Sequence, residues 1–431
     1  MVYQYTQRIL GKLTASLLTS QLEASPDVLT ANHQGLDCYS QTIQGTLLFA
    51  LSRIMHPQSD HPFFPVLACG NAPLHNLTFP RGILLARHIK VHTGPNEPRQ
   101  TAIKIPIFPS RFQNTLVCQM TAYTPKMLQT AHSRTLAEET GLLSSEKKAV
   151  LNLLDRVYPA ALQYTNSSDQ CVALNSLAWK ELFARELHAA LPIPVYLELE
   201  KVSTRLLKTD LCNERSLINA LLFDPRLRTA LLQILDGHTG CWSLQHLQEI
   251  RSGGILLRDQ GMGTLFFWTT DHKGRKLPMD IVRTGGTERL IPLGLTPKTR
   301  GIDWTPTGLT EALKAGHIFP SLLVSFTVLA LARGLVCHEG IYQAEYLPGM
   351  QQGVMQALQE TGRKAMAKEM ATLRTDAFIA GQNVAMARYP DGSCAPAGTV
   401  EIMAGGGTHP WRPFSSGIFY PTSYVSYRIC S

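Results

Sequence analysis

Residues 28–71, VLTANHQGLDCYSQTIQGTLLFALSRIMHPQSDHPFFPVLACGN, carry the pattern that decides the fold. A short apolar run at 28–31 stops at a polar turn at 32–35 (NHQG), and a segment of helical length follows over 39–55. A second apolar run at 65–69 then ends in a Gly-Asn pair. Strand, turn, helix and strand in this order are typical of a βαβ unit. The sequence therefore predicts an α/β protein with a Rossmann-like parallel-sheet core, helical insertions and a small C-terminal extension.

Outside residues 28–71, the spacing of the apolar residues changes several times along the chain. Helical periodicity predicts helices within 116–157 and 207–235, and a polar turn at 271–274 predicts a β-hairpin over 263–282. The segment 169–177 is predicted to form a short strand and turn. These changes favour one α/β core with a helical insertion over a string of separate domains.

An apolar stretch at 318–336 approaches the length of a membrane span. It contains Pro320 and Arg333, so a buried core helix is the prediction.

The chain is predicted to divide into the first half of the core at 1–115, a helical insertion with connecting segments at 116–250, the second half of the core at 251–350, and a C-terminal helix with a Gly/Tyr-rich extension at 351–431.

Composition sets the broad class of the protein. Of 431 residues, 44% are hydrophobic and only 17% are charged, which excludes a disordered chain. The nine cysteines are scattered and never spaced Cys-x-x-Cys, which favours a reduced protein over a disulfide framework or a zinc site. Because the first residues lack the order of a secretory signal, we expect a cytoplasmic protein.

The formal net charge is +8, and much of the basic excess lies in one stretch. Six Lys or Arg residues stand between Arg81 and Arg111 against a single acid, Glu97. Pro, Gly and apolar runs interrupt this stretch, which suits a pocket for a carboxylate or phosphate better than a nucleic-acid surface. A solvated surface stretch is the alternative. Nucleic acid and membranes are not predicted as partners.

The polar turn after the first strand is the first candidate site. Backbone N–H groups at a helix N-terminus bind anions, and Gly35 is predicted to permit the close approach of a ligand. His33 is a candidate general base or phosphate contact, flanked by Asn32 and Gln34. The alternative is a polar capping turn of the βα unit.

The loop after the second strand supplies the second candidate site. Asn71, His75, Asn76 and Arg81 follow that strand. In a parallel sheet they would lie beside the first turn, because ligands bind at the carboxyl ends of such strands.

A third cluster follows the apolar stretch. Glu339, Tyr342 and Glu345 recur every three residues, so on a helix they would share one broad face. Two acids and a phenol suit the binding of an ammonium group or acid–base work. A structural polar cluster is the alternative, and Cys337 beside His338 leaves open a hydrolase with a cysteine nucleophile.

The order of these motifs resembles the bacillithiol-forming cysteine ligases, the cysteine-adding enzymes that join cysteine to the amine of glucosaminyl-malate. In that family the first turn reads G-Q-Q-A-G-L before a helix, and residues 33–36 (HQGL) stand where this run would end. The motif E-x-x-Y-x-x-E of the third cluster resembles the family's E-I-N-Y-W-G-E-L. The hairpin near 264–282 and a helix near 308–316 also fall in family order, so the resemblance covers about residues 26–350.

Two departures separate this chain from the family. The family's acidic run after its second strand is replaced at 71–77 by NAPLHNL, which contains no acid. The family's long coiled-coil arm has no clear counterpart. The resemblance therefore implies a relative adapted to another substrate in thiol or specialised-metabolite biosynthesis.

These observations predict a C–N bond-forming ligase or transferase that condenses an amino acid or related carboxylate with an amine. Amide formation from a free carboxylate needs activation, so ATP or a preactivated donor is implied, and no motif identifies which. No metal is predicted, and a homodimer stays open. The alternative is a non-catalytic binding protein for a small anionic metabolite. The predicted catalytic residues are His33, Glu339, Tyr342 and Glu345, and the predicted substrate-binding residues are Asn32, Gln34, Gly35, Asn71, His75, Asn76 and Arg81.

Overall fold

The computed structural model divides the chain into two compact units. The parallel-sheet unit comprises Val2–Ser25, Leu29–Glu198 and Ile379–Ser431, and the meander unit comprises Met1, Pro26–Val28 and Leu199–Phe378. The predicted division into four parts stays a prediction. The structure describes residues 1–55, 62–89, 99–183, 191–252, 263–293, 301–338, 340, 342–379, 381, 383–389, 392, 394–406, 412–413 and 419–420.

Helices and strands follow one another in runs of one to four along the described chain. The helices are α1 (Val2–Leu10), α2 (Lys12–Ala24), α3 (Ser40–Met55), α4 (Pro125–Leu136), α5 (Ser144–Asn152), α6 (Tyr158–Ala160), α7 (Ser167–Glu181), α8 (Leu199–Leu211), α9 (Leu217–Phe223), α10 (Pro225–Ile234), α11 (Leu244–Arg251), α12 (Pro306–Lys314), α13 (Leu322–Phe326), α14 (Gln343–Glu360), α15 (Lys364–Met370) and α16 (Thr399–Ala404). The strands are β1 (Asp27–Leu29), β2 (Phe63–Ala68), β3 (Gly82–Ile89), β4 (Arg99–Pro106), β5 (Ile193–Glu198), β6 (Phe267–Thr270), β7 (Lys276–Thr284), β8 (Thr287–Pro292), β9 (Ile302–Asp303), β10 (Phe319–Pro320), β11 (Val336–His338), β12 (Met386–Arg388), β13 (Cys394–Pro396), β14 (Arg412–Pro413) and β15 (Phe419–Tyr420).

The predicted βαβ unit is confirmed as β1–α3–β2. Leu29 of β1 pairs with Val66 of β2 in parallel, and β2 pairs in parallel with β5 from Phe63↔Ile193 to Ala68↔Glu198. The protein is therefore a mixed α/β protein with a parallel sheet. Strand β5 was not predicted, and its Pro194 is tolerated because no further strand is paired with β5 beyond β2 in the described sheet.

The core of the parallel-sheet unit lies between the sheet and α3. Apolar side chains of β1, β2 and β5 pack there with α3 and with the C-terminal segment, including Val384 and Ala397. Gln44, which is 1% exposed, joins α3 to that segment. Its Nε2 donates to the carbonyls of Ala385 and Ala397 at 2.7 Å each, and its Oε1 accepts the N–H groups of Val384 at 2.6 Å and Ala385 at 2.8 Å. All four hydrogen-bonding positions of this amide are thus used on backbone groups.

The prediction of a strand at 169–177 was wrong, because these residues lie inside α7. Asn166 caps the helix by accepting the N–H of Asp169 at 2.9 Å. Most of the helix from residue 167 to residue 179 is buried, polar residues included. A helix buried on nearly all sides has no amphipathic period, so the sequence pattern did not reveal it.

The meander unit contains an antiparallel sheet with strand order β10-β6-β7-β8-β9. The predicted hairpin is confirmed as β6–β7, with Thr270 opposite Lys276 across the turn at 271–274. Its Asp271 carboxylate accepts the N–H groups of Lys273 at 2.8 Å and Arg275 at 2.9 Å, which stabilises the turn.

Helices α8, α12 and α13 contact strands of this sheet. The helical prediction for 207–235 corresponds to the end of α8, α9 and α10. The apolar stretch at 318–336 is divided into β10, α13, a π-helix at Thr327–Leu331 and the start of β11. Every residue of that π-helix is buried. Among the described residues, no helix is both long and apolar enough to cross a membrane.

Candidate functional site

The polar turn after β1 and the loop after β2 lie at the same edge of the sheet, as predicted. The N–H of Cys69 donates to the carbonyl of Asn32 at 2.8 Å, and the N–H of Gln34 donates to the carbonyl of Cys69 at 2.8 Å. This parallel bridge centres on His33 and extends the pairing of β1 with β2. It fixes the backbone on both sides of the His33 side chain.

A buried carboxylate organises the turn from within. Asp37, 8% exposed, accepts hydrogen bonds from four side chains. The donors are Thr42 Oγ1 at 2.5 Å, Tyr196 OH at 2.5 Å, Asn32 Nδ2 at 2.9 Å and Thr46 Oγ1 at 3.0 Å. These donors come from the turn, α3 and β5, so one carboxylate joins three elements around the carboxyl edge.

Burial changes the pKa values of two groups in this cluster, Asp37 and Tyr196. It raises the pKa of the Asp37 carboxyl, although the four hydrogen bonds oppose that effect. Burial and the neighbouring Asp37 carboxylate also raise the pKa of Tyr196 well above its ordinary value, so this hydroxyl remains a donor. The cluster therefore has a structural role at the edge of the sheet.

Asn32 and Gln34 belong to this framework, with exposures of 1% and 0%. Gln34 Nε2 donates to the carbonyl of Ser168 at 3.0 Å. Asn32 Oδ1 and Gln34 Oε1 accept no hydrogen bond from the described part of the chain. The substrate-binding role of both residues stays a prediction, because the structure places their side chains inside the turn.

Gly35 is needed for a close approach of the chain to itself. A Cβ atom at this position would lie 3.3 Å from both Cα and Cβ of Pro80, in the loop after β2. The carbonyl of Gly35 also accepts the side-chain amide of Asn175 at 2.7 Å. The Gly35 backbone therefore lies close to Pro80, and the substrate-binding role of Gly35 stays a prediction.

The His33 imidazole joins the two loops through a chain of hydrogen bonds. Its Nδ1 lies 3.2 Å from Thr78 Oγ1, which donates to Asn76 Oδ1 at 3.3 Å. The N–H of Thr78 donates to the same Asn76 oxygen at 3.3 Å, so that atom is an acceptor. When the Thr78 hydroxyl gives its hydrogen to Asn76, the hydrogen between His33 and Thr78 belongs to Nδ1. The Nε2 atom of His33 then carries a lone pair.

Burial also keeps this imidazole neutral. Desolvation lowers the pKa of His33 to about 4, so the ring is uncharged near neutral pH. His33, Asn76 and Thr78 are nonetheless partly exposed, and the adjoining Leu77 is 83% exposed. The three residues form a polar group that is partly exposed to solvent, with a neutral nitrogen base at its centre.

The loop after β2 also contains the predicted site residues Asn71, His75 and Arg81. Asn71 is 9% exposed. His75 is exposed and its Nδ1 donates to the carbonyl of Gln113 at 2.6 Å. The half-buried Arg81 donates from Nε to the carbonyl of Phe108 at 2.7 Å. These contacts hold the loop in place, and none of them brings His75 or Arg81 into contact with His33.

The third predicted cluster belongs to the meander unit. Tyr342 is 76% exposed, and the exposed Glu345 accepts a hydrogen bond from Thr239 Oγ1 at 3.4 Å. Glu339 lies outside the described residues. The catalytic roles given to these three residues stay predictions.

The neighbouring Cys337 is 0% exposed, and Nε2 of His338 lies 2.8 Å from Asp27 Oδ1. A thiol that solvent does not reach is poorly placed to attack a substrate. The imidazole is directed at a carboxylate, so this geometry gives no support to a cysteine hydrolase.

Sequence reasoning missed Thr78 and Tyr196. Tyr196 lies within the unpredicted strand β5, and its hydroxyl reaches Asp37 only because β5 lies beside β2. Thr78 had a weak indication, since it lies two residues after Asn76 in a loop that was already singled out. Hydroxyl side chains are common in loops, so spacing alone did not distinguish it.

Within the described part of the chain, His, Cys, Asp and Glu side chains form no group of three suited to a metal ion. Comparison with known proteins finds no matching family model, no matching curated protein and no matching solved structure.

Proposed function

We propose that this protein is a C–N bond-forming enzyme that acts on a small amine and an activated carboxylate at the carboxyl edge of β1 and β2. The observation that supports this most directly is the chain from His33 through Thr78 to Asn76. It leaves Nε2 of a neutral imidazole as a proton acceptor at a partly exposed position. A neutral imidazole accepts protons from reacting groups, and a pKa of about 4 makes this ring a weak base.

In the proposed step, the nitrogen of a neutral amine attacks the carbonyl carbon of the activated donor. The N–C bond forms, and the bond from that carbon to the leaving group breaks. His33 Nε2 takes the proton that the amine nitrogen loses, and the imidazolium returns it to the leaving group. Since the pKa of His33 is only about 4, the imidazolium gives up this proton readily.

The test is condensation by the purified full-length chain. A panel of amines is incubated with free amino acids plus ATP, with aminoacyl adenylates and with aminoacyl thioesters, and products are detected by mass spectrometry. His33→Ala should lower the rate about 100-fold or more, the usual contribution of a general base. Thr78→Val should lower it about tenfold, because the ring loses the partner that fixes its tautomer.

Matched controls are His132→Ala and Thr130→Val, both on α4. His132 lies 3.3 Å from Asp155, and the exposed Thr130 donates only to the carbonyl of Lys126 in the described chain. Both variants should keep the full rate. Because His33 is already neutral at pH 6, its protonation should cause no change in the wild-type rate between pH 6 and 9. Absence of product with every donor, or a full rate in His33→Ala, would rule out the proposal.

A second candidate function, binding of a small anion without chemistry, is favoured by the basic groups near Arg81. Burial lowers the pKa of Arg81, and the positive charge of Arg134 lowers it further. Lys104 Nζ lies 5.1 Å from the centroid of the Phe79 ring. Within the described chain, none of these three cations forms an ion pair with a carboxylate. A bound anion would relieve the repulsion between Arg81 and Arg134.

This second function predicts a measurable affinity for simple anions. Titration with inorganic phosphate and with succinate, followed by calorimetry, should show binding that weakens at least tenfold in Arg81→Ala and is screened by salt. Arg226→Ala, at an exposed position of α10, is the control. Anion binding without turnover of any donor would favour the binding protein, whereas equal affinities in the wild type and Arg81→Ala would exclude an anion site here.

A further inference from the structure

A second cleft lies wholly within the meander unit, in a part of the sequence that the motifs did not single out. It has a volume of about 580 Å³, within the range of small-molecule sites. Its walls come from the loop between α8 and α9, from the residues after the π-helix, and from α15 with the residues that follow it. The cleft is independent of the reaction proposed at His33.

A fixed guanidinium forms one wall. Arg333 donates from Nη1 to Asp210 Oδ2 at 2.8 Å and from Nη2 to Asp210 Oδ1 at 2.7 Å. Its Nη1 also donates to the carbonyl of Val328 at 2.8 Å. Within the described chain its Nε–H and the second Nη2–H have no acceptor, and these two groups form the edge of a guanidinium that binds carboxylates side-on.

Two further charges line the cleft without a partner in the described chain. Arg215 lies in the α8–α9 loop and Glu369 lies on α15, and both are exposed. The Arg333–Asp210 pair is neutral as a whole, so these two residues supply one free positive and one free negative charge on different walls.

The remaining walls combine polar groups with methionine and leucine side chains. Met366 and Met370 of α15 face the cleft together with Leu217 and Leu331. Methionine side chains adapt to apolar groups of different shapes. The wall at Met370 is held firmly, since Gln351 Nε2 donates to the carbonyls of Met370 at 2.8 Å and Leu373 at 2.9 Å.

We propose that this cleft binds a small apolar zwitterion, such as a hydrophobic amino acid or a short apolar peptide. The free edge of Arg333 and the charge of Arg215 hold the carboxylate. Glu369 holds the ammonium group, and the methionines contact the apolar side chain. A ligand lacking any one of these three features would leave one wall of the cleft without a partner.

Isothermal titration calorimetry with the full chain tests this directly. Leucine, methionine and the dipeptide Leu-Leu are the probes, with N-acetyl-leucine, isoamylamine and glycine lacking the ammonium, the carboxylate and the apolar group respectively. At least one of the three probes should bind, and each incomplete compound should bind at least tenfold more weakly. Tighter binding of leucine would identify a free amino acid as the source of the zwitterion, and tighter binding of Leu-Leu would identify a peptide.

Substitutions of cleft residues test whether the ligand binds in this cleft. Arg215→Ala and Glu369→Gln should each weaken binding of the tightest probe at least fivefold, while Arg226→Ala and Glu311→Gln, at exposed positions outside the cleft, should not change it. The far-ultraviolet circular dichroism spectrum checks that each variant is folded. No binding by any probe at millimolar concentration, equal binding of the incomplete compounds, or unchanged affinity in both cleft variants would overturn the proposal.

Discussion

Gln44→Leu is expected to lower the free energy of unfolding by about 4 kcal/mol, because four hydrogen bonds to backbone groups are lost at about 1 kcal/mol each. The leucine side chain would leave the N–H groups of Val384 and Ala385 and the carbonyls of Ala385 and Ala397 without their partner. Buried backbone groups without a partner are costly, so the C-terminal segment should detach first. Urea denaturation measures the free energy, and limited proteolysis shows where the chain opens.

Gln41→Leu is the matched control, since Gln41 lies on the same helix and is exposed. It should change the free energy of unfolding by less than about 0.5 kcal/mol. If both variants had the same stability as the wild type, the four hydrogen bonds of Gln44 would not stabilise the fold.

Asp37→Ala is expected to lower the free energy of unfolding by about 4 kcal/mol, because four donors, three of them buried, lose their common acceptor. Asn32, Thr42, Thr46 and Tyr196 would all be affected. Since these donors belong to three elements, the turn that carries His33 should also lose its fixed conformation. Thermal denaturation and urea titration measure this loss. Asp155→Ala, whose carboxylate is 56% exposed, should change stability little.

The carboxyl group of Asp37 also predicts how the stability of the protein changes with pH. Burial raises the pKa of Asp37, so the folded protein holds this proton more tightly than the unfolded chain does. The stabilisation is then complete below the unfolded pKa of about 4 and is lost as the pH rises through the folded pKa. Compared with Asp37→Asn, which does not titrate, the wild type should lose stability as the pH increases from about 4. A difference that is independent of pH, or that increasingly favours the wild type, would contradict the raised pKa.

The sequence predicted the part of the fold that is local. The βαβ unit follows from residues 28–71, because both strands and the helix between them are contiguous and each has a clear end. Strand β5 was missed because Pro192 and Pro194 interrupt its pattern and its partner β2 is far away in the sequence. Helix α7 was missed because burial on nearly all sides removes its periodicity.

For the candidate site, the order of the strands predicted which loops lie together, whereas residue type did not predict which side chains are exposed. The expectation that the loops after β1 and β2 lie together is confirmed by the contact of His33 with Thr78. The fully buried position of Gln34 could not be predicted, since it depends on Ser168 from a helix that was taken for a strand. The sequence spacing of Tyr342 and Glu345 likewise gave no information on their exposure.

The two units also differ in when they are completed during synthesis on the ribosome. Leu199–Phe378 emerges as one continuous stretch, and only Pro26–Val28 of the rest of the meander unit, besides Met1, is made earlier. The parallel-sheet unit must wait for Val384 and Ala397, which are translated after that whole stretch. Gln44 therefore emerges early and stays without its backbone partners for most of translation. A nascent chain of this protein therefore leaves the part of α3 that contacts residues 384–397 uncovered throughout that interval, and transiently exposed surface of this kind is what chaperones protect.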